Sequence, residues 1–139
     1  MSNERVFTVQ RYDSAEPAAV NKSCSQVCLT LDDDGSFTLL VGSASSDWGQ
    51  RRETTALYLG AYDDQAAGVV CQATRRKSRR RFHDHDGGQP EVDEHDEAVV
   101  DERFAFKRRG EVGLICPVDH DGLRGVLMSA NLPPHPGVF

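Results

Sequence analysis

The chain has 139 residues, a formal net charge of −6 and 38% hydrophobic residues. This length favours one domain over residues 1–139 with a sizeable core. No stretch approaches the ~20 apolar residues that a membrane span needs, and the first residues lack the apolar segment of a signal peptide. These features argue against a membrane-spanning protein, and we expect a cytoplasmic one.

The cysteines fit an intracellular location. Cys28, Cys71 and Cys116 lie in strand-like apolar patterns, where a free cysteine packs as a small hydrophobic residue. Cys24 and Cys28 have three residues between them rather than the two of a zinc knuckle, and no second pair follows. We therefore expect reduced, poorly reactive thiols, no metal bound by cysteines and no cofactor.

A hairpin is the clearest element of the first half of the chain. Residues 5–12 alternate as a first strand, and residues 27–31 and 37–41 then alternate around the sequence Asp-Asp-Asp-Gly. Alternating apolar runs on both sides of an Asp/Gly turn are a strong hairpin signal. The glycine supplies the positive φ that closes such a turn without strain at Cβ.

Two more strands follow a polar loop at residues 42–53. Residues 57–62 alternate, with leucines on one face and tyrosines on the other, and residues 69–73 continue after a second turn. Because alternation in a strand sends every second side chain to the same side, one core is predicted from Leu29, Leu31, Phe37, Leu39, Leu57 or Tyr58, and Val69.

Two blocks of opposite charge interrupt the strands. Residues 75–81 carry six positive charges, whereas residues 83–102 hold nine carboxylates, three histidines and no lysine or arginine. The acidic block has few large apolar residues with which to offset its chain entropy. We therefore expect residues 84–99 to form a long, disordered acidic loop.

Strands return in the last third of the chain. Residues 104–107 and 112–116 alternate around an Arg-Gly turn, and a further turn leads to a last strand at residues 123–128. Residues 131–139 contain three prolines and are expected to form an extended tail. An eighth strand is added if residues 77–82 pair with residues 103–109.

The fold predicted from this pattern is all-β, an antiparallel up-and-down barrel of about eight strands, because closure removes the exposed edges of a sheet. The strand–Asp-Gly–strand unit at residues 29–39 and the strand containing Gly60-Ala61-Tyr62 give the chain a resemblance to the calycins, the lipocalin and fatty-acid-binding type of barrel. The lipocalin Gly-x-Trp signature is absent, since Phe7-Thr8-Val9 occupies the first strand. The resemblance implies a barrel interior that could hold a small ligand.

Aromatic side chains are the candidates for lining that interior, because small-molecule pockets favour aromatic walls. Trp48, the only tryptophan, either covers an open end of the core or lines the mouth of a ligand pocket. The candidate ligand-binding residues are Phe37, Trp48, Tyr58, Tyr62, Phe104 and Phe106.

The basic block is the sharpest chemical feature of the sequence. Arginine binds phosphate through two hydrogen bonds and attracts polyanions, and the block also resembles a nuclear localisation run, with Ser78 in a basophilic-kinase context. The alternative is a charged hairpin whose two arms neutralise each other. The candidate polyanion-binding residues are Arg75, Arg76, Lys77, Arg79, Arg80 and Arg81.

Histidines give weaker candidates. On an extended chain His83 and His85 would share a face and could hold a divalent ion with nearby carboxylates, or they are incidental residues of a solvated acidic loop. His120 or His83 could serve as a base in a hydrolase or isomerase, but no catalytic constellation, nucleophile elbow or phosphate loop accompanies them.

The function predicted from the sequence is therefore that of a small non-enzymatic binding or interaction protein on a barrel scaffold. Its ligand is either an apolar molecule in the interior or an acidic partner on the basic block. The alternative is a nucleic-acid-associated module that uses residues 75–81. In either case the acidic block is expected to compete internally for the basic one.

Overall fold

Eight antiparallel strands form a closed barrel in the computed structural model, which describes residues 4–12, 22–47, 50–84 and 89–130. In chain order they are β1 (Arg5–Tyr12), β2 (Lys22–Leu31), β3 (Ser36–Asp47), β4 (Gln50–Gln65), β5 (Gly68–His83), β6 (Glu91–Arg109), β7 (Gly113–Ile115) and β8 (Leu127–Ala130).

The strand order confirms the predicted up-and-down topology. Each strand pairs with the next along the chain, and β8 closes the ring by pairing with β1 at Phe7–Ala130 and Thr8–Ser129. In the described part of the chain, no helix has the length and apolar composition that crossing a membrane requires.

The β2–β3 hairpin has the predicted register and turn. Leu29 lies opposite Leu39 and Leu31 opposite Phe37, and Gly35 adopts a φ of 90° in the turn. The hydroxyl and amide of Ser36 donate hydrogen bonds to the carboxylate of Asp34, which hold the pKa of Asp34 below its ordinary value. The aspartate-rich turn is thus stabilised by its own side chain.

The predicted core is confirmed. The sequence left Leu57 and Tyr58 as alternatives for one core position. Tyr58 packs against the core, while Leu57 lies on the opposite face of β4, beside Leu40 and Lys77. Large side chains that are at most 1% exposed fill the barrel; they are Leu29, Leu31, Phe37, Leu39, Phe106, Leu114 and Met128.

Both ends of the barrel are covered by polar contacts. At one end Asp64 accepts hydrogen bonds from Arg5 at 3.0 Å and from Arg108 at 2.5 Å. At the other end the connection between β7 and β8 buries Leu123, and its His120 donates from Nε2 to the carbonyl oxygen of Gly42 at 3.2 Å. These contacts tie the chain's last strands to its first ones across the ring.

A bulge divides β4, β5 and β6 into a barrel part and a projecting part. On β5, Thr74 is an extra residue opposite the step from Leu59 to Gly60 of β4. On β6, residues 99–101 occupy the space opposite Thr74, and Asp101 adopts a φ of 62°. Bulges bend a strand and increase its twist. Beyond this bulge β4 stays paired with β3 as far as Gln50, while β6 has no second neighbour among the described strands.

The projecting part is called the arm below and consists of residues 50–59 of β4, 75–83 of β5 and 91–98 of β6. The expected acidic loop at 84–99 is therefore wrong for residues 91–99, which belong to β6. Pairing with β5 gives this segment the hydrogen bonds and countercharges that it lacks as an isolated chain. Residues 85–88, and the tail expected at 131–139, lie outside the described residues.

The eighth strand, which the sequence predicts only if residues 77–82 pair with residues 103–109, has a different partner in the structure. Residues 77–82 pair with Glu91 to Asp96 of β6 rather than with residues 103–109. The last strand begins at Leu127 rather than at residue 123, because residues 120–125 form turns. The first difference arises because the acidic block is ordered as the first part of β6 and pairs with the basic block.

Gly60 allows β5 to approach β4 at the bulge, because a Cβ at this position would overlap the carbonyl oxygen of Gln72. We predict that Gly60→Ala lowers the free energy of unfolding by about 1–3 kcal/mol, the usual range for overpacking. Urea denaturation measures this change. Ala61→Ser, at the exposed neighbouring position, is the matched control and should shift it by less than ~0.5 kcal/mol. Equal effects of the two substitutions would mean that the close approach at Gly60 is unimportant.

All four cysteines are free and buried. Burial raises the pKa of Cys71 to about 12 and raises those of Cys24 and Cys116 as well. Since the thiolate is the reactive form, we predict that Cys71 and Cys116 react far more slowly with a thiol reagent at pH 8 in the native protein than in urea. Mass spectrometry of the labelled peptides gives the rates site by site. Labelling of Cys71 at the unfolded rate would contradict its burial.

A charged arm as the candidate functional site

Five of the six aromatic residues predicted to line a ligand pocket lie in or against the barrel core. Phe37 and Phe106 are 1% exposed. The rings of Tyr58 and Phe104 meet edge to face with centroids 4.9 Å apart, and the Tyr62 hydroxyl donates to the carbonyl oxygen of Asp32 at 2.7 Å. Trp48 lies outside the described residues. These rings occupy the interior themselves.

The basic block forms the arm's central strand, between β4 and β6. Strand alternation divides its side chains between two faces. Arg76 and Arg80 lie on the core-side face, which continues the barrel interior, and the guanidinium of Arg76 is 5.7 Å from the centre of the Tyr58 ring. The outer face carries Arg75, Lys77, Arg79 and Arg81.

Three of the arginines pair with carboxylates of β6. Arg75 makes two hydrogen bonds to Asp96, at 2.6 and 3.0 Å, whereas Arg79 and Glu94 are 3.3 Å apart and Arg76 and Glu97 are 3.7 Å apart. The hydrogen bonds from Arg75 lower the pKa of Asp96. The alternative considered from the sequence, a charged hairpin with mutually neutralising strands, is the arrangement that the structure has.

Four further cations of the arm have no ion pair among the described residues, whereas Arg51 pairs with Glu53 of its own strand at 2.7 Å. Lys77, Arg80 and Arg81 of β5, together with Arg52 of β4, have no carboxylate within 4.0 Å in the described part of the chain. Arg52 instead lies over the ring of Phe82, with 5.5 Å between the guanidinium carbon and the ring centre. The Nε of Arg81 is buried without a hydrogen-bond acceptor.

Two grooves flank the central strand, one on each face. The core-side groove has a volume of about 590 Å³ and brings Arg52, Arg80 and Phe82 together with Glu91 and Asp93. The outer groove, of about 550 Å³, combines apolar and charged groups; its lining includes Leu40, Leu57, Lys77, Arg79, Glu94 and Asp96. Each groove therefore places cations beside apolar side chains.

Of the histidine candidates, the structure describes His83 and His120. His83 ends β5 and His85 lies outside the described residues, in which no group of three His, Cys, Asp or Glu side chains could hold a metal ion. His120, the other candidate base, is engaged with the Gly42 carbonyl. Ser78 lies opposite Ala56 of β4 and His95 of β6, so an enzyme that recognises an extended peptide would first have to open the arm.

No known family model matches the chain, and no similar curated protein or solved structure is found.

Sequence reasoning identified the basic block and, as an alternative, its neutralisation by the acidic block, but it missed the contact with β4. Arg52 and Phe82 are distant from each other in sequence, and only the β4–β5 register places them side by side. A signal for the hairpin was present, because residues 75–82 and 91–98 are blocks of equal length and mostly opposite charge around a Gly-Gly pair. When the two blocks pair, the cations of one strand lie beside the carboxylates of the other.

The Arg75–Asp96 contact makes the arm sensitive to acid. Because the pKa of Asp96 is lowered in the folded arm, its contribution is fully present above the carboxylate's unfolded pKa and is lost as pH falls through the folded value. We predict that cross-strand NMR contacts between residues 75–82 and 91–98 weaken below about pH 4 before those of the barrel. In Asp96→Asn the acid-dependent part of this change should shrink. A parallel loss of arm and barrel contacts in both proteins would contradict the prediction.

Proposed function

We propose that this chain is a small, non-enzymatic, cytoplasmic interaction protein, and that its arm binds an acidic segment of a partner protein. The unpaired cations beside an apolar groove carry the proposal. Lys77, Arg80, Arg81 and Arg52 sit in or next to the two grooves, and none of them has a carboxylate within 4.0 Å in the described part of the chain. An arginine with an unused donor binds a carboxylate through two parallel hydrogen bonds.

Because side chains fill the barrel interior, a binding surface outside the barrel is favoured over a ligand inside it. The closed ring of eight strands agrees with a calycin-like scaffold, and calycins suggested an apolar ligand in the interior. Here Phe37, Phe106 and Met128 occupy that interior with at most 1% exposure, so a ligand of drug size would have to displace core side chains. The free, buried cysteines support the intracellular location.

An acidic protein segment fits the arm better than a nucleic acid does. The arm carries eight lysines and arginines against six carboxylates, interleaved on both faces. A phosphate backbone would meet the carboxylates as well as the cations, and single-stranded nucleic acids also depend on exposed aromatic rings for stacking. Phe82, the aromatic residue of the core-side groove, is covered by Arg52. A peptide can place carboxylates and apolar side chains selectively.

The test compares two double variants that remove the same charge. Arg80→Gln/Arg81→Gln removes unpaired cations, and Arg75→Gln/Arg79→Gln removes cations already paired with Asp96 and Glu94. We predict that the first weakens binding of a labelled poly-glutamate peptide about tenfold, since two contacts of ~0.7 kcal/mol each are lost. The second should change it about twofold or less.

Fluorescence anisotropy at two salt concentrations gives the affinities, with single-stranded DNA of equal charge as the competing probe. Equal losses in the two double variants would show that binding follows net charge rather than the unpaired cations. Tighter binding of DNA, with a steep salt dependence, would favour the nucleic-acid alternative. Binding of neither probe would reject the proposal.

A further inference from the structure

The edge of β6 that faces away from β5 has no partner strand over most of its length. β5 pairs with β6 from Gly68 to Phe82, whereas β7 pairs with β6 only at Lys107 to Arg109. From Glu91 to Phe106, no described strand lies on the other side. Such an edge presents a row of unpaired N–H and C=O groups, which is a template for another strand.

The bulge divides this edge into two segments. Val100 at the bulge is 88% exposed, and Asp101 has a φ of 62°, so residues 99–101 interrupt a regular ladder. Residues 91–98 before the bulge are regular, and every side chain in this segment is exposed. Eight residues exceed the usual strand length of about 5–6 residues, so the segment is long enough to hold an added strand.

Charge decides which strand fits. The segment carries five carboxylates within residues 91–97. Two of them, Glu91 and Asp93, have no lysine or arginine partner in the described part of the chain; Asp93 lies 3.4 Å from His95. Like charges placed opposite each other destabilise a strand pair, so two copies of this edge repel each other. A strand rich in lysine or arginine is attracted.

The edge of β6 that pairs with β5 already binds a basic strand. On that side Arg75 and Arg79 of β5 reach Asp96 and Glu94 across the ladder. An exposed carboxylate has about four acceptor positions, so the same row of acids can accept hydrogen bonds from a second strand. The β5–β6 ladder is thus a template for the contact on the free edge.

We propose that residues 91–98 of β6 bind an extended, Lys/Arg-rich segment of a partner protein by strand addition. The backbone edge supplies the hydrogen bonds, and the carboxylates select a basic occupant. Carboxylates of this segment also line the two grooves, but the present proposal rests on the free backbone edge and stands whether or not the proposed function holds.

The first test uses a synthetic peptide of alternating lysine and valine on the full-length protein. The control peptide has the same charge but proline in place of alternate valines, so it cannot form a ladder. Amide hydrogen exchange by NMR should show that every second N–H of residues 91–98 becomes protected with the alternating peptide and not with the proline peptide. Equal binding of both peptides, or binding without this period-two protection, would overturn strand addition.

The second test uses two double variants with equal changes of charge. Glu91→Gln/Asp93→Asn should weaken binding of the alternating peptide by about threefold to fivefold, whereas Glu111→Gln/Asp119→Asn, at exposed positions outside the arm, should leave it unchanged. Unchanged far-UV circular dichroism confirms that each variant is folded. No peptide binding, equal losses in both variants, or self-association through residues 91–98 would each refute the proposed occupant.

Discussion

The pairing of β5 with β6 is the contact on which both halves of this molecule depend. In the barrel part it places Val69 and Cys71 opposite Phe106 and Phe104, and in the arm it places the basic block opposite the acidic one. The backbone ladder is common to both parts; only the side chains change from apolar to charged. An exposed ion pair contributes at most about 1 kcal/mol, so the arm's order rests on this ladder, anchored in the core, more than on any single pair.

The bulge determines where the core ends and the contact surfaces begin. Up to Gly60, Ala73 and Glu102 the sheet curls and closes around apolar side chains. Beyond it β4 remains paired with β3, β6 has no described strand on its second edge, and no described side chain of the arm is fully buried. A closed barrel leaves few free edges. Here β7 pairs with only three residues of β6, so β6 has a free edge on both sides of the bulge.

Period-two patterns predicted the barrel because most strands have one apolar face. The choice between Leu57 and Tyr58 stayed open because both faces of β4 are apolar there, and only the register decides which one meets the core. The acidic segment was misjudged because its composition was assessed alone, whereas its partner strand supplies countercharges. Likewise, the basic block was recognisable, but the separation of paired Arg75 from unpaired Arg80 depends on the cross-strand register.

The two proposed contacts share carboxylates, so they are thermodynamically coupled. Asp96, Glu97 and Glu94 now neutralise Arg75, Arg76 and Arg79. A basic strand on the free edge of β6 would compete for these acids and leave the arginines of β5 more available to an acidic segment. By linkage, an acidic segment in the grooves would free the same acids for a basic strand, with an equal coupling free energy. The ion pairs within the arm thus lower the affinity for an acidic segment alone and for a basic strand alone. They favour binding of the two partners together.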